Sequence, residues 1–304
     1  MIIDTSAPLR IGLMGGGSDI NPYAEKYGGY VLNASINIRQ NFLIDTLGEI
    51  IPDNSNEFIK KIKKSLGVQG WSIHQTEMGP FIGSGLGSSA SAIVALTGAY
   101  YKSIGRKLDC FDVASKAWEI ENNLGQFCGK QDHHASSFGG VNKFFFWKFD
   151  KYTNVVNSDS GKENKVLQSL LLFHTGIARK NKLIQESMKE LTEDRKKILD
   201  NLKTLVDLSS SAIIEEDIRG FGEIMDKSWM LKKSSNSVSS KEIDIILDKG
   251  KSLGAYGGKL CGSGGGGCVL FVVPLEKRNT FIKKIGLRHI DYSIDWNGLD
   301  TRII

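Results

Sequence analysis

Short segments in which apolar and polar residues alternate dominate the first third of the chain. Residues 9–13, 29–34, 41–44 and 71–75 show this alternation, and a period of two is typical of strands. Residues 88–102 differ because they are small and apolar nearly all round, which indicates a helix buried on every side. The first half is therefore predicted to be a sheet with a buried helix.

One amphipathic helix carries a carboxylate on its apolar side. Residues 109–124 have helical periodicity, with Asp109 as the expected N-cap. The apolar stripe of this helix consists of Val113, Ala117, Ile120 and Leu124. Glu121 falls on the stripe, whereas Glu119 falls on the solvent side. An inward carboxylate must be paired or bind a cation, because burying an isolated charge is costly.

The second half is predicted to be mainly helical. An apolar period of 3.6 residues indicates helices over 182–210 and 218–233. A capping box from Ser239 to Glu242 opens a third helix. The other predicted elements are strands over 144–149, 167–175 and 268–273 and a short helix over 276–285.

A boundary between two units is expected in the polar stretch 154–164. It gives an N-terminal unit of residues 1–160 and a C-terminal unit of residues 161–304. Strands and helices in both units indicate an α+β class. A chain of 304 residues is long enough for two units that bury their own cores.

Composition and charge exclude several classes of protein. The chain is 40% hydrophobic and 24% charged, as in ordinary globular proteins and unlike disordered or fibrous ones. Its net charge of +5 is scattered over predicted solvent-facing lysines, so no nucleic-acid partner is expected, although a mild positive bias suits a small anionic substrate. The sequence has neither a signal-peptide pattern nor an apolar run of about 18 residues, so no membrane association is expected.

The four cysteines favour a reducing compartment. Cys110, Cys128, Cys261 and Cys268 include no C-x-x-C pair and have no histidine at zinc-ligand spacing. We therefore expect four free thiols and a cytoplasmic protein. The oligomeric state is left open.

The chain has 34 glycines, and three clusters stand out: the first at residues 10–19, the second at 83–91 and the third at 262–267. The second cluster, GSGLGSSAS, runs straight into the predicted buried helix. Glycine amides and the first turn of a helix together form an anion site. The alternative is a glycine turn in which Ser88 merely caps the helix. The sequence has no Walker A pattern G-x-x-x-x-G-K-[ST].

The other two clusters also predict close approach of a ligand or of other backbone. The third contains a literal G-x-G-x-x-G, but a helix is expected before it and a strand after it, the reverse of a dinucleotide fold. Its glycines therefore let another chain segment or a ligand come close. The first cluster, RIGLMGGGSD, carries a strand into three glycines and ends at Asp19, a typical ligand position. Arg10 taken alone is typical of a surface or ion-paired residue.

Asp132 is the second candidate carboxylate. It lies eleven residues after Glu121, in the polar segment 129–134 that precedes another helical stretch. Two carboxylates near an anion-binding loop suggest one metal ligand and one base. The alternative is a paired core glutamate and a helix-capping aspartate. His133 and His134 are not expected to form a metal pair, because adjacent side chains diverge and no third ligand is suitably spaced.

These motifs resemble, in the same order, those of the GHMP kinase superfamily, named for galactokinase, homoserine kinase, mevalonate kinase and phosphomevalonate kinase. Residues 7–10 (APLR) with 15–19 (GGGSD) resemble motif one, residues 83–90 motif two and residues 259–267 (KLCGSGGGG) motif three. The resemblance extends over essentially the whole chain. It implies a two-domain α+β GHMP kinase fold with the active site in the inter-domain cleft.

The resemblance also implies a role for each motif residue. ATP would donate the phosphoryl group, with Mg²⁺ held by Ser89 and Glu121. Asp132 would accept the proton of a sugar hydroxyl, and Arg10 would neutralise charge on the transferring group. The expected nucleotide-binding residues are Gly83, Gly85, Leu86, Gly87, Ser88, Ser89 and Ala90. The expected acceptor-binding residues are Gly16, Gly17, Asp19, Gly264 and Gly265.

Within the superfamily, motif one and residues 228–233 (SWMLKK) are similar to the branch that phosphorylates the anomeric hydroxyl of heptose 7-phosphate. Motif one has three glycines where galactokinases carry Gly-Glu-His, and Arg10 where mevalonate kinases carry lysine. A distant phosphate would need a basic site, for which Arg179 and Lys232 are candidates, although a solvated helix end is equally open for Lys232. The alternatives are a kinase of an unphosphorylated sugar such as fucose or galactose, and a non-catalytic sugar- or ATP-binding regulator.

Overall fold

Both halves of the chain contain strands and helices, and a computed structural model describes residues 1–77, 83–178, 190–234 and 238–304. The strands are β1 (Ile2–Met14), β2 (Gly29–Asp45), β3 (Ser72–Glu77), β4 (Val141–Phe146), β5 (Lys151–Val156), β6 (Leu170–His174), β7 (Gly257–Leu260), β8 (Cys268–Val272), β9 (Arg288–Ile290) and β10 (Asp300–Ile303). The helices are α1 (Tyr23–Tyr27), α2 (Glu57–Leu66), α3 (Ser88–Ser103), α4 (Cys110–Asn123), α5 (Gln131–Phe138), α6 (Ser158–Glu163), α7 (Lys165–Ser169), α8 (Glu193–Ile214), α9 (Ile218–Lys233), α10 (Lys241–Ser252) and α11 (Arg278–Ile285). The predicted mixture of α and β is confirmed.

The described strands pair antiparallel and form two sheets. The first sheet has the order β10-β1-β2-β4-β5, with β3 paired to the second half of β2. The second sheet has the order β7-β8-β6-β9. Strands β1 and β2 pair from Ile2 opposite Asp45 to Met14 opposite Leu32. The three glycines of the first cluster, residues 15–17, directly follow the end of β1.

The N-terminal core lies between the first sheet and helices α2, α3 and α4. Phe42 and Ile44 of β2 share one apolar cluster with Ile93 and Leu96 of α3 and Val113 of α4. Helix α3 is buried on every side, as its composition predicts. An all-round apolar helix is stable here because it fills the layer between a sheet and another helix.

The two halves of the chain share a second core. It joins Leu9 and Leu32 of the first sheet to Leu170 and Leu270 of the second, together with Val206 of α8. Strand β10 also returns from the C-terminal half to pair with β1. The division near residue 160 stays a prediction. Strand β10 follows this boundary in the sequence but belongs to the first sheet, whose other strands precede it.

Most predicted strands overlap a strand of the structure, but their first and last residues differ. Residues 29–34 and 41–44 are parts of the single strand β2, because the polar interval between them stays largely paired with β1. The strand predicted over 144–149 is β4, which begins and ends earlier. The one predicted over 167–175 starts as helix α7, capped by Asn164, before it becomes β6. Strands β5, β7, β9 and β10 have no counterpart in the prediction.

Helices α3, α4 and α9 lie where they are predicted, and two other helices differ. The helix predicted over 182–210 is wrong as one element, since Thr192 caps α8 directly before its first turn. Residues 182–189 of that prediction lie outside the described residues. Helix α10 is capped by Ser240 rather than Ser239.

Two further expectations concern thiols and membranes. In the described part of the chain, Cys110, Cys128, Cys261 and Cys268 form no disulfide, as expected. In the described part of the chain, no helix combines the length and the apolar character that crossing a membrane requires.

Candidate active site

The three glycine clusters meet around one cavity of about 560 Å³. Gly16 and Gly17 of the first cluster line it, with Gly85 and Gly87 of the second and Gly262 of the third. Helix α4, the start of α5 and the end of α9 also line the cavity. The volume lies within the range of about 300–1,000 Å³ that is usual for small-ligand sites. Both halves of the chain therefore contribute to one candidate site.

Arg10 and Asp132 form a two-bond ion pair at the cavity wall. Nε of Arg10 donates to Oδ1 of Asp132 at 2.7 Å, and Nη2 donates to Oδ2 at 2.6 Å. The remaining Nη1 donates to the carbonyl of Gly85 at 2.6 Å. The Arg10 side chain is 5% exposed and that of Asp132 27%, so the carboxylate is the more accessible member of the pair. A planar guanidinium bonded in this way fixes both the position and the orientation of the carboxylate.

The loop of the second glycine cluster adopts left-handed backbone conformations. Gly83, Gly85 and Gly87 have φ values of +74°, +85° and +78°, a region that strongly favours glycine. A Cβ on Gly85 would lie 2.4 Å from the carbonyl oxygen of Cys261. The second loop therefore packs backbone against backbone on the segment that leads into the third.

Helix α3 starts at the cavity wall with Gly87 as its N-cap. Ser88 is the first helical residue, so the alternative in which Ser88 merely caps α3 is wrong. Gly87 has no side chain to cap the first amides, and Ser88 and Ser89 line the cavity. The amides and the dipole at such a helix start favour an anion. The side chains of Leu86 and Ala90, which are also expected at the nucleotide, are buried, so their contact with it would be through the backbone.

Asp19 is buried where the first glycine cluster meets α5. Its Oδ1 accepts hydrogen bonds from the amide of Gly17 and from Nε2 of Gln131, and its Oδ2 accepts one from the amide of Gln131, all at 3.0 Å. Burial raises the pKa of Asp19, and the negative charge of Asp132 adds to this, against the lowering by the backbone amides. Asp19 thus clamps the glycine loop to the first turn of α5. Gln131, which sequence reasoning missed, lines the cavity beside it.

Glu121 reaches the cavity from α4 and is 3% exposed, as its place on the apolar stripe predicts. Nε2 of His133 lies 2.7 Å from its Oε2, and Ser89 and Cys128 also contact the carboxylate. Burial opposes the charged form, but these three side chains outweigh it and hold the pKa of Glu121 below its usual value. Glu119 lies on the other face, with 55% of its side chain exposed.

Two lysines line the cavity. Lys259 was not singled out by sequence reasoning, because nothing in its pattern shows that it is buried. Its Nζ donates to the carbonyls of Gly12 at 2.7 Å and Leu13 at 2.8 Å. Burial, with a smaller contribution from the charge of Lys232, lowers the pKa of Lys259 to about 7. Lys232 lines the cavity with it, whereas Arg179 lies outside the described residues.

The third glycine cluster is the loop of a hairpin between β7 and β8. A strand precedes it where a helix was expected, but no helix follows it, so a dinucleotide fold stays excluded. A Cβ on Gly264 would lie 2.8 Å from Cβ of Val238, and the amide of Gly265 donates to the Val238 carbonyl at 3.0 Å. The close approach is therefore to another chain segment. Gly262 and Ser263 take the place at the cavity that was expected for Gly264 and Gly265.

The donor atoms fit a magnesium–nucleotide complex. The Ser89 hydroxyl and the Glu121 carboxylate touch, and both are oxygen ligands of the kind that Mg²⁺ prefers. They stand beside the start of α3, where phosphate is favoured. A Cβ on Gly87 would meet Oδ2 of Asp132 at 3.4 Å and Cζ of Arg10 at 3.5 Å, so a larger side chain would fill the space next to the ion pair.

Comparison with known proteins identifies the family. Residues 55–140 match the family description "GHMP kinases N terminal domain", and residues 209–288 match "GHMP kinases C terminal". A D-glycero-alpha-D-manno-heptose 7-phosphate kinase of Campylobacter jejuni subsp. jejuni serotype O:2 is 32% identical to this chain, and the match covers 93% of each protein.

Two solved structures share the fold. A D-glycero-D-manno-heptose 1-phosphate kinase from Bacteroides thetaiotaomicron has a TM-score of 0.75 over 99% of both chains at 22% identity. A Lactococcus lactis galactokinase complexed with galactose has a TM-score of 0.74 over 99% of this chain and 95% of its own at 17% identity. Kinases named for different sugars match equally well, so these likenesses show the fold and not the substrate. The chain belongs to the GHMP kinase family and has the GHMP kinase fold.

Proposed function

We propose that this protein is an ATP-dependent kinase that phosphorylates the anomeric hydroxyl of a sugar phosphate, converting D-glycero-D-manno-heptose 7-phosphate to the 1,7-bisphosphate. The observation that carries the proposal is the pair of Arg10 and Asp132, which holds a carboxylate at the cavity wall beside an anion-binding helix start. Phosphoryl transfer depends mainly on such positioning and charge compensation. The Campylobacter heptose kinase, similar along nearly its whole length, supports a sugar phosphate as acceptor.

Asp132 is the proposed base. A carboxylate has about four lone-pair sites, and Arg10 takes two of them, which leaves others for a sugar hydroxyl. The proton of the anomeric hydroxyl passes to Asp132 while the hydroxyl oxygen bonds to the γ-phosphorus of ATP, and the bond from that phosphorus to the ADP oxygen breaks. Arg10 stays charged throughout and offsets negative charge on the transferring group.

The second glycine cluster is the proposed phosphate cradle. Its loop glycines and the first amides of α3 hold the phosphates, and Ser89 and Glu121 hold Mg²⁺, which when bound neutralises phosphate charge. The carbonyl of Leu86 accepts a bond from the amide of Arg10 at 2.9 Å. This bond ties the cradle to β1, so the phosphate site and the base keep a fixed separation.

The acceptor is proposed to lie between the first glycine cluster and the two lysines. Gln131 is positioned by Asp19, and its Oε1 has no hydrogen-bond partner among the described residues, which suits a sugar hydroxyl. Lys232 and Lys259 line the same cavity and supply positive charge for the distant phosphate. Asp19 then acts as a positioning residue for Gln131 rather than as the main sugar contact.

A product-detected kinase screen tests this function. The acceptors are D-glycero-D-manno-heptose 7-phosphate, the unphosphorylated heptose, fucose, galactose and homoserine, each with ATP and Mg²⁺. We expect ADP and a 1,7-bisphosphate from the first acceptor alone. Phosphorylation of only an unphosphorylated sugar would establish the simpler sugar kinase. Binding of a sugar or ATP with no product from any acceptor would establish the regulator.

A further inference from the structure

Three side chains with three different ligand atoms meet at one wall of the cavity. They are the carboxylate of Glu121 on α4, the thiol of Cys128 in the connection to α5 and the imidazole of His133 on α5. Their ligand atoms all lie within 4.8 Å of one another. Ligand bonds of about 2.0–2.3 Å in a tetrahedral zinc site place neighbouring donors roughly 3–4 Å apart. Small side-chain movements are therefore enough to bring all three onto one ion.

His133 directs one ring nitrogen at the Glu121 carboxylate. Its side chain is fully buried, and its Nε2 lies 2.7 Å from Oε2 of Glu121. The two atoms are close but not aligned for a hydrogen bond, and Nδ1 has no hydrogen-bond partner among the described residues either. A cation placed beside these two atoms would be bound by both of them. The neighbouring His134 is different, because its Nδ1 lies 2.9 Å from the carbonyl oxygen of Lys130 and its ring packs against Phe144. Only the first of the two histidines is directed at the cluster.

We propose that Glu121, Cys128 and His133 form a binding site for a transition-metal dication of the Zn²⁺ class. A thiolate and an imidazole select such ions over Mg²⁺, which prefers oxygen ligands only. Three protein ligands with an open fourth position are the pattern of accessible zinc sites. Here Glu121 and Cys128 both line the cavity, so the ion enters from the cavity and the fourth position faces it.

The site has a consequence for the kinase, and this consequence rests on the proposed function. Glu121 is shared between the proposed Mg²⁺ pair with Ser89 and the Zn²⁺ set. A Zn²⁺ ion bound by Glu121 therefore competes with Mg²⁺ for the same carboxylate. Bound Zn²⁺ therefore inhibits Mg²⁺-dependent turnover and is displaced by a chelator.

Metal binding is tested directly on the full chain. Zn²⁺ affinity is measured by competition with a chromophoric chelator, and Co²⁺ is added separately to look for a thiolate-to-cobalt charge-transfer band. We expect the parent to bind one Zn²⁺ and to show the band. Both Cys128→Ser and Cys128→Ala should abolish the band and weaken Zn²⁺ binding by at least about tenfold, the scale found when even a group that only orients a ligand is lost.

Cys110→Ser is the matched control, because Cys110 is a free, exposed thiol outside the cavity. It should keep the band and the parent affinity. The proposal is overturned if the parent shows no band, or if both Cys128 variants bind Co²⁺ and Zn²⁺ as the parent does.

Inhibition by Zn²⁺ forms a separate arm of the test. The ratio of turnover with Zn²⁺ to turnover without it is compared within each protein, and the parent should be inhibited far more than Cys128→Ser. A protein that binds Zn²⁺ through Cys128 but phosphorylates no acceptor would refute the proposed function and leave the metal site standing.

Discussion

Replacement of Asp132 by asparagine removes one charge from the centre of the site and keeps its shape. Arg10 donates to both carboxylate oxygens, at 2.7 and 2.6 Å. An asparagine can accept only one of these bonds and sets an NH₂ donor against the other N–H. The guanidinium, with 5% of its side chain exposed, would then keep its charge without a counter-ion.

Two effects of Asp132→Asn should be measurable. The free energy of unfolding should fall by about 3 kcal/mol, the low end for breaking a buried pair, since 27% of the Asp132 side chain is exposed. Loss of the base should lower kcat by roughly 10²- to 10⁴-fold, with little change in the KM for ATP. Turnover is followed by ADP release and stability by urea unfolding.

The matched control is Asp295→Asn. Asp295 pairs with Arg39, has 6% of its side chain exposed and lies outside the cavity. This variant should lose comparable stability and keep its kcat. An unchanged kcat in Asp132→Asn would refute the base assignment, and an equal loss of kcat in both variants would assign the loss to folding.

Three further perturbations test other parts of the site. Glu121→Gln should raise the Mg²⁺ concentration for half-maximal turnover by roughly tenfold or more, whereas Glu119→Gln on the solvent face should not. If an Mg²⁺ titration showed a higher requirement for Glu119→Gln and none for Glu121→Gln, the assignment of the metal ligand to the buried face of α4 would be wrong. Gly85→Ala should weaken ATP binding in calorimetry, because its Cβ would lie 2.4 Å from a carbonyl oxygen of the neighbouring loop. Gly105→Ala, at a similar φ of +70° in open space, should bind ATP like the parent, and equal losses would contradict the packing argument. The pKa of Lys259 is lowered to about 7, so its charge destabilises the fold at low pH, and this penalty fades as pH rises toward the unfolded value of about 10.4. The free energy of unfolding of Lys259→Met, relative to that of the parent, should therefore fall by about 1.4 kcal/mol per pH unit between about pH 7.5 and 9.5. Urea unfolding measures this difference, and a difference that does not change with pH would contradict the lowered pKa.

The fold could be predicted where its signal is local. Helix α4 has an apolar stripe and a cap, and the Asp109 carboxylate accepts from the amide of Asp112 at 3.0 Å as such a cap should. Strand β7 begins with two glycines, which disfavour a strand. A Cβ on Gly257 would lie 2.0 Å from the carbonyl oxygen of Gly222 in α9. Gly257 is therefore required by the packing of a strand on a helix distant in sequence, which no local pattern reveals.

The candidate site divides in the same way. The inward position of Glu121 follows from helical periodicity, and Arg10 and Asp132 follow from the motifs. The connection from α4 to α5 folds back and brings Cys128 and His133 close to Glu121. Of the two histidines, only His133 joins Glu121 and Cys128 among the described residues, and sequence spacing could not show this because it does not report distances across a turn.

The most direct test of the central claim is the ratio of kcat/KM for D-glycero-D-manno-heptose 7-phosphate to that for the same heptose without its phosphate. The proposed binding of the distant phosphate by Lys232 and Lys259 predicts a strong preference for the phosphorylated sugar, with the new phosphate on the anomeric oxygen by phosphorus NMR. Equal kcat/KM values for the two sugars, or a new phosphate on any other oxygen, would contradict the account.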